Sequence, residues 1–133
     1  MGDEEKILFA NDAFYAAFAR ADMSAMAEIW AHRHSVSVIH PGGDVVQGRA
    51  AVLDSWRTIL DPVDAFDIEM RAPQARDHKG LGLVVCYEQV GPHALIASNL
   101  FAREDDVWRI VHHQSGPSPV MPDADAVPGA PVH

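Results

Sequence analysis

Cysteine is almost missing from this chain: Cys86 is the single one in 133 residues, so no internal disulfide can form. The core must be held by packing alone, and a reducing compartment is the expectation. Positive charge is scarce too. Ten lysines and arginines face nineteen acidic residues, for a formal charge of -9. That balance argues against nucleic acid or an anionic membrane surface as partner, since either would repel an acidic body. No apolar run nears the roughly 20 residues needed to cross a bilayer, and no basic-then-apolar leader opens the chain. The expectation is a soluble cytoplasmic protein with no nucleic acid and no membrane among its partners. There is no internal repeat and no cofactor motif.

The chain is otherwise rich enough to build one packed domain: 48% of its residues are hydrophobic and three are tryptophan. Asp3 is read as the N-cap of a first helix, with Glu4 and Glu5 in its first turn. Along it Ile7, Asn11, Phe14, Tyr15 and Phe18 recur on one face. A buried tyrosine hydroxyl needs a partner, either structural or a ligand, and Tyr15 leaves both open; Asn11 reads as a packing or rim residue. Asp22 caps a second helix over Met23 to Ala31, with Met26, Ile29 and Trp30 turned inward. In the loop that follows, His32 and His34 have the spacing of alternate strand ligands. No neighbouring cysteine or carboxylate completes a site, so no metal and no cofactor are expected.

Val36 to His40 is a short β-branched strand stopped by Pro41-Gly42-Gly43. His40 thus ends a strand at a tight turn, a place where side chains meet ligands, although a structural histidine is the better reading from this segment alone. Val45-Val46 returns from the turn. A third helix runs from Arg49 to Leu60 with Val52, Leu53, Trp56, Ile59 and Leu60 as its apolar set, and Pro62 stops it. Four long strands follow: Phe66 to Ala75, Lys79 to Val90, Leu95 to Arg103 and Val107 to Ser115. Hairpin-length turns join them into an antiparallel meander. Asn99 lies at mid-strand among Ala97 and Phe101, where its amide needs satisfying.

The last strand, Val-Trp-Arg-Ile-Val-His-His-Gln-Ser, alternates so that Trp108, Ile110 and His112 fall on one face and Arg109, Val111 and His113 on the other. Adjacent histidines must then point opposite ways, and parity assigns His112 to the interior. Residues 117–133 carry five of the nine prolines and few large apolar side chains, which reads as an extended tail beyond a domain of residues 1–116. Three helices against a curved, mostly antiparallel sheet make an α+β cone. Its mouth suits a small apolar ligand, and its apolar outer sheet face suits a second subunit.

These residues together carry a resemblance. The helix segment Phe14 to Met23, Val-Ile-His-Pro-Gly (Val38 to Gly42), Gly-Arg-Ala-Ala-Val-Leu (Gly48 to Leu53), Ser-Asn-Leu-Phe (Ser98 to Phe101) and the last strand resemble the nuclear-transport-factor-2-like superfamily, in its SnoaL-like branch. The resemblance covers about Ile7 to Gly116. It implies a cone-shaped barrel with a pocket and commonly a homodimer through the open sheet face. Against the ketosteroid isomerase pattern, Tyr15 matches the oxyanion-donating tyrosine, His40 replaces the general-base aspartate and Asn99 replaces a protonated aspartate. What this implies is acid–base chemistry of isomerase, dehydratase or cyclase type on a small carbonyl compound. His40 would be the base, Tyr15 and Asn99 the oxyanion donors and His112 a second acid or base. Trp56, Trp30, Phe18, Trp108 and Phe101 are the expected ligand-binding walls. The last strand is also similar to the end of the calcium/calmodulin-dependent kinase association domain, which implies the alternative of a non-catalytic binding or oligomerisation module.

Overall fold

A computed structural model of the chain describes residues 2–123. The elements run α1 (Asp3–Ala19), α2 (Met23–Ile29), β1 (Ser37–Ile39), β2 (Val45–Gln47), α3 (Arg49–Leu60), β3 (Ile68–Asp77), β4 (Leu81–Val90), β5 (His93–Glu104) and β6 (Val107–Pro117). The strands form one six-stranded sheet in the order β2-β1-β6-β5-β4-β3. Every pairing is antiparallel except β1 with β6. The sheet stays open: it curls over the helices without closing on itself, and the α+β cone expected from the sequence is the observed architecture.

Helix α1 buries the face that its spacing marks out, with Ile7, Asn11, Phe14, Tyr15 and Phe18 all inside. Its cap differs from expectation. Gly2 holds the N-cap position with no side-chain bond, and Asp3 is already helical, where its charge still suits the helix N-terminus. Asp22 does cap α2, accepting from the Ala25 N–H at 3.0 Å. The end of α2 is closed from afar: the Arg49 guanidinium donates to the carbonyls of Ala27, Trp30 and Ala31, which ties α3 to α2 and satisfies acceptors a helix end leaves open. Helix α1 packs so closely on β4 that a Cβ at Gly82 would sit 2.9 Å from Ile7 Cδ1, so any larger residue there would force the Ile7 side chain to shift.

Phe14 is the centre of the core. Its ring meets those of Tyr15, Phe18, Trp30, Trp56 and His113 at centroid distances of 4.9 to 6.5 Å. Burying an aromatic of this size contributes about 2–3 kcal/mol, and edge-on pairs add about 0.5–1.5 kcal/mol each. Two irregularities shape the sheet. Pro73, with its missing N–H, falls on the edge strand β3, and the register with β4 shifts between Arg71 and Gln74. The second shift lies between β5 and β6: Phe101 pairs with Ile110, but Leu100 pairs with His112. Val111 is therefore an extra, unopposed residue, a β-bulge.

Strand β6 runs two residues past the expected Ser115, and the chain after it is not free of the body. Ser118 N–H donates to Ala94 O at 2.9 Å, and Arg71 donates to Pro122 O at 3.0 Å. The expected tail was placed at 117–133; its residues 124–133 lie outside the described residues.

Candidate functional site

The bulge at Val111 decides which histidine is interior. Without it, the alternation from Trp108 and Ile110 would bring His112 inward. With it, the face switches by one residue, so His113 and Ser115 join Trp108 and Ile110 on the buried side. His112 instead faces the outer side, its Nδ1 2.7 Å from the Ser37 hydroxyl on β1. The expectation for His112 is corrected on this point, and the physical reason is a one-residue slip in the β5–β6 ladder.

His113 belongs to a buried chain of polar groups. Tyr15 donates its hydroxyl proton to Glu88 Oε2 at 2.6 Å. That leaves the Tyr15 oxygen as an acceptor, so the Asn99 atom 3.1 Å from it must be the donating Nδ2. The same Nδ2 donates to Asn11 Oδ1 at 2.8 Å. Asn99 Oδ1 then faces His113 Nδ1 at 2.6 Å and can only accept. His113 therefore carries its proton on Nδ1, and the lone pair is on Nε2. That atom lies 3.8 Å from Glu88 Oε2. Cys86 closes the group, its Sγ 3.3 Å from the Tyr15 oxygen.

Burial sets the charges here. His113 is pushed down to about 3 by desolvation first and by the nearby His40 and His112 second. It is neutral at pH 7, so its approach to Glu88 is not an ion pair. Desolvation raises Glu88 above the usual carboxylate range, opposed by hydrogen bonding from Tyr15 and Ser115. The Tyr15 hydroxyl is raised for the same first reason, and the Cys86 thiol is pushed up to about 12, which makes it unreactive.

His40 stands at the end of β1, its ring edge-on to Trp56 at 4.9 Å, and part-burial lowers it below the ordinary imidazole value. Ser55 donates its hydroxyl proton to Val52 O at 2.6 Å and so must accept from His40 Nε2–H at 3.0 Å. The free lone pair is on His40 Nδ1. His40, Glu88, His113 and Ser115 are the polar lining of a half-open cavity of about 310 Å³, whose walls are Phe18, Pro41, Ile59, Phe66, Val90 and Leu95. An apolar hollow with a few convergent polar groups of displaced pKa is the usual form of a small-molecule site.

A family model for the SnoaL-like domain matches residues 7–121. The chain belongs to the SnoaL-like domain family, and with it to the nuclear-transport-factor-2-like superfamily. Among solved structures it is similar to a candidate dehydratase of the NTF2-like family from Streptomyces avermitilis. The two are 29% identical with a TM-score of 0.80, over 87% of this chain and 96% of that one. It is also similar to a candidate calcium/calmodulin-dependent protein kinase type II association domain from Thiobacillus denitrificans. Identity there is 31% and the TM-score 0.68, over 82% of this chain and 92% of that one. The F-box protein SKIP8 of Arabidopsis thaliana is 25% identical over 111 residues, which are 82% of this chain and 48% of the plant protein, so the chain spans about half of that relative.

On this SnoaL-like scaffold the residues singled out in the sequence divide into groups. His40 and Phe18 line the cavity. Tyr15 and Asn99 meet as expected, but behind the cavity, at 5% and 0% exposure, with their donors already occupied. Trp56 is wholly buried and serves as the wall behind His40. Trp30 and Phe101 are wholly buried core residues away from the cavity lining. Trp108 lines a different groove, of about 230 Å³, with Phe9, Ile29 and Val107. Glu88 and His113 were missed. Glu88 had a signal: it is the one charged residue on the β4 face shared with Val84 and Cys86. His113 had none.

Proposed function

We propose that this chain is a small-molecule pocket protein that moves a proton at a carbon beside a carbonyl group, with His40 as the base. The observation that carries the reading is the convergence of two neutral imidazoles and a raised carboxyl on one otherwise apolar cavity. His40 Nδ1 offers a lone pair on an imidazole that stays uncharged at pH 7, the form a general base needs. Glu88, when protonated, is the acid within the same hollow. Tyr15 and Asn99 act as positioning residues, because their N–H and O–H groups point at protein acceptors and not at the cavity. Isomerisation and dehydration both begin with this proton transfer, and the similarity to the Streptomyces candidate dehydratase supports the second. Membership of the family supports the pocket.

The test is exchange of carbon-bound protons. Small ketones are incubated with the protein in deuterated water, and loss of the α-proton signal is followed by NMR. Wild type should accelerate exchange, and His40→Ala should lower the rate by about 10²–10⁴-fold, the usual contribution of a positioned base. Equal rates in wild type and variant would remove His40 from this role.

A homodimer through the outer sheet face is part of the same proposal. Half-exposed apolar side chains pair there across the strands, Leu83 with Leu100 and Tyr87 with Ile96. In the proposed dimer this face is buried against the same face of a second copy. Sedimentation should return twice the mass of one chain, and Ile96→Asp should return one. The similarity to the Thiobacillus candidate association domain supports a second reading, assembly without catalysis. Dimerisation with no exchange activity on any ketone would favour it.

A further inference from the structure

We propose that the cavity selects an uncharged ligand bearing a hydroxyl group, whose O–H is received by His113 Nε2 beside Glu88, and that it rejects carboxylates. The inference rests on the cavity being a ligand site and adds the class of molecule that enters it. The argument is an inventory of protons. Tyr15 gives its proton to Glu88, Asn99 gives its two to Asn11 and Tyr15, His113 gives Nδ1–H to Asn99, and His40 gives Nε2–H to Ser55. Each of these protons already has a protein acceptor. What remains on the imidazoles is lone pairs, His113 Nε2 and His40 Nδ1, while Glu88 and Ser115 can each give or receive.

Two imidazole lone pairs in such a site ask the ligand for a donor. Among the described residues no lysine or arginine lines the cavity, so a carboxylate or phosphate would enter without a counter-charge and beside Glu88. A carbonyl or ether oxygen alone would leave His113 Nε2 unpaired in a dry place, the situation in which sites discriminate most strongly. An ammonium group could donate, but the burial that keeps both imidazoles uncharged weighs on a bound cation too, and it also raises Glu88, which makes that carboxyl a weak counter-charge. A hydroxyl meets the demand at no charge. At about 310 Å³, and with a water-sized group taking about 30 Å³, the ligand has about ten heavy atoms.

The experiment is a matched set of four ligands titrated calorimetrically into the full chain: β-hydroxypropiophenone, its methyl ether, benzoylacetate and β-aminopropiophenone. The hydroxy ketone is expected to bind at least tenfold more tightly than each of the others, and His113→Leu should bring hydroxyl and ether toward parity. Should His113→Leu fail to fold, the ranking on wild type decides alone. An ether bound as tightly as the alcohol, or a tightest binder that is the carboxylate or the amine, overturns the proposal. No binding by any of the four overturns it together with the ligand-site reading. Proton exchange measured on the same hydroxy ketone separates the two claims. Hydroxyl preference without exchange keeps the selectivity and removes the catalysis, and exchange without hydroxyl preference does the reverse.

Discussion

Glu104→Ala should cost about 3 kcal/mol of folding stability and lower the melting temperature by about 10 °C, although Glu104 lies outside the cavity and makes no contact with it. Its carboxylate, 3% exposed, receives the backbone N–H of His32, Arg33 and His34, each at 2.9 Å, and the His34 ring nitrogen at 2.7 Å. Arg109 stands 3.7 Å away. Three successive amides of the loop after α2 thus converge on one side chain from the end of β5. Removing it strands them, and a buried amide without an acceptor costs more than its hydrogen bond was worth. Glu104→Gln keeps an accepting oxygen but turns an NH₂ toward other donors, so an intermediate loss is expected. Chemical denaturation of the three proteins is the measurement. A loss in Glu104→Ala below about 0.5 kcal/mol, the range of ordinary surface substitutions, would show that water replaces the carboxylate in this loop. The same contacts hold Glu104 well below the usual carboxylate range despite its burial. A depressed folded pKa contributes stability that is present above the unfolded value near 4.5 and is lost as pH falls through the folded one.

His113 should make the protein sensitive to acid well before its carboxylates titrate. The unfolded imidazole takes up a proton near 6.5, whereas the folded one is pushed down to about 3. Between those values the unfolded chain binds more protons, so stability rises with pH and is lost as pH falls from about 6.5 toward 3. One such group sets a slope approaching ~1.4 kcal/mol per pH unit. His40, also lowered, adds in the same sense. Glu88 works against it, because a raised carboxyl holds its proton longer when folded. His113→Gln can still donate to Asn99 Oδ1 without titrating. Its stability should therefore decline less steeply than wild type between pH 6.5 and 4.5, where His40 and, in the opposite sense, Glu88 still act, and should fall with wild type below 4.5 through Glu104. Denaturation at closely spaced pH values reads this directly. Parallel curves for variant and wild type throughout would mean that opening of the core does not depend on charging this imidazole.

The two mutations report on different depths of information in the chain. Periods of 3.6 and 2 were legible because they are local: α1 buries the residues its spacing marks, α3 runs from Arg49 to Leu60 as its caps require, and four long strands fall within a few residues of their observed ends. The meeting of Tyr15 with Asn99 was also reachable, since each is a polar residue on an apolar face and needs a partner. Its consequence was not. Both residues give their protons to protein neighbours, so they stand behind the cavity and not in it. Whether a buried group faces a ligand or another side chain depends on what approaches from the far side, and spacing along one element carries nothing about that. The tryptophans show the same limit: Trp30, Trp56 and Trp108 all had to be inside, but their bulk alone did not tell core from cavity wall.

The sequence by itself determined the elements, the apolar faces, the family and the presence of His40 at a strand end beside a turn. Only the tertiary structure decided which of two neighbouring histidines faces the interior. Val111 bulges because β6 must keep register with β5 on both sides of Leu100, and that requirement is set by hydrogen bonds between strands, not by any residue near position 111. One unopposed residue reverses inside and outside for everything beyond it, so His113 reached the interior and brought Glu88 into reach.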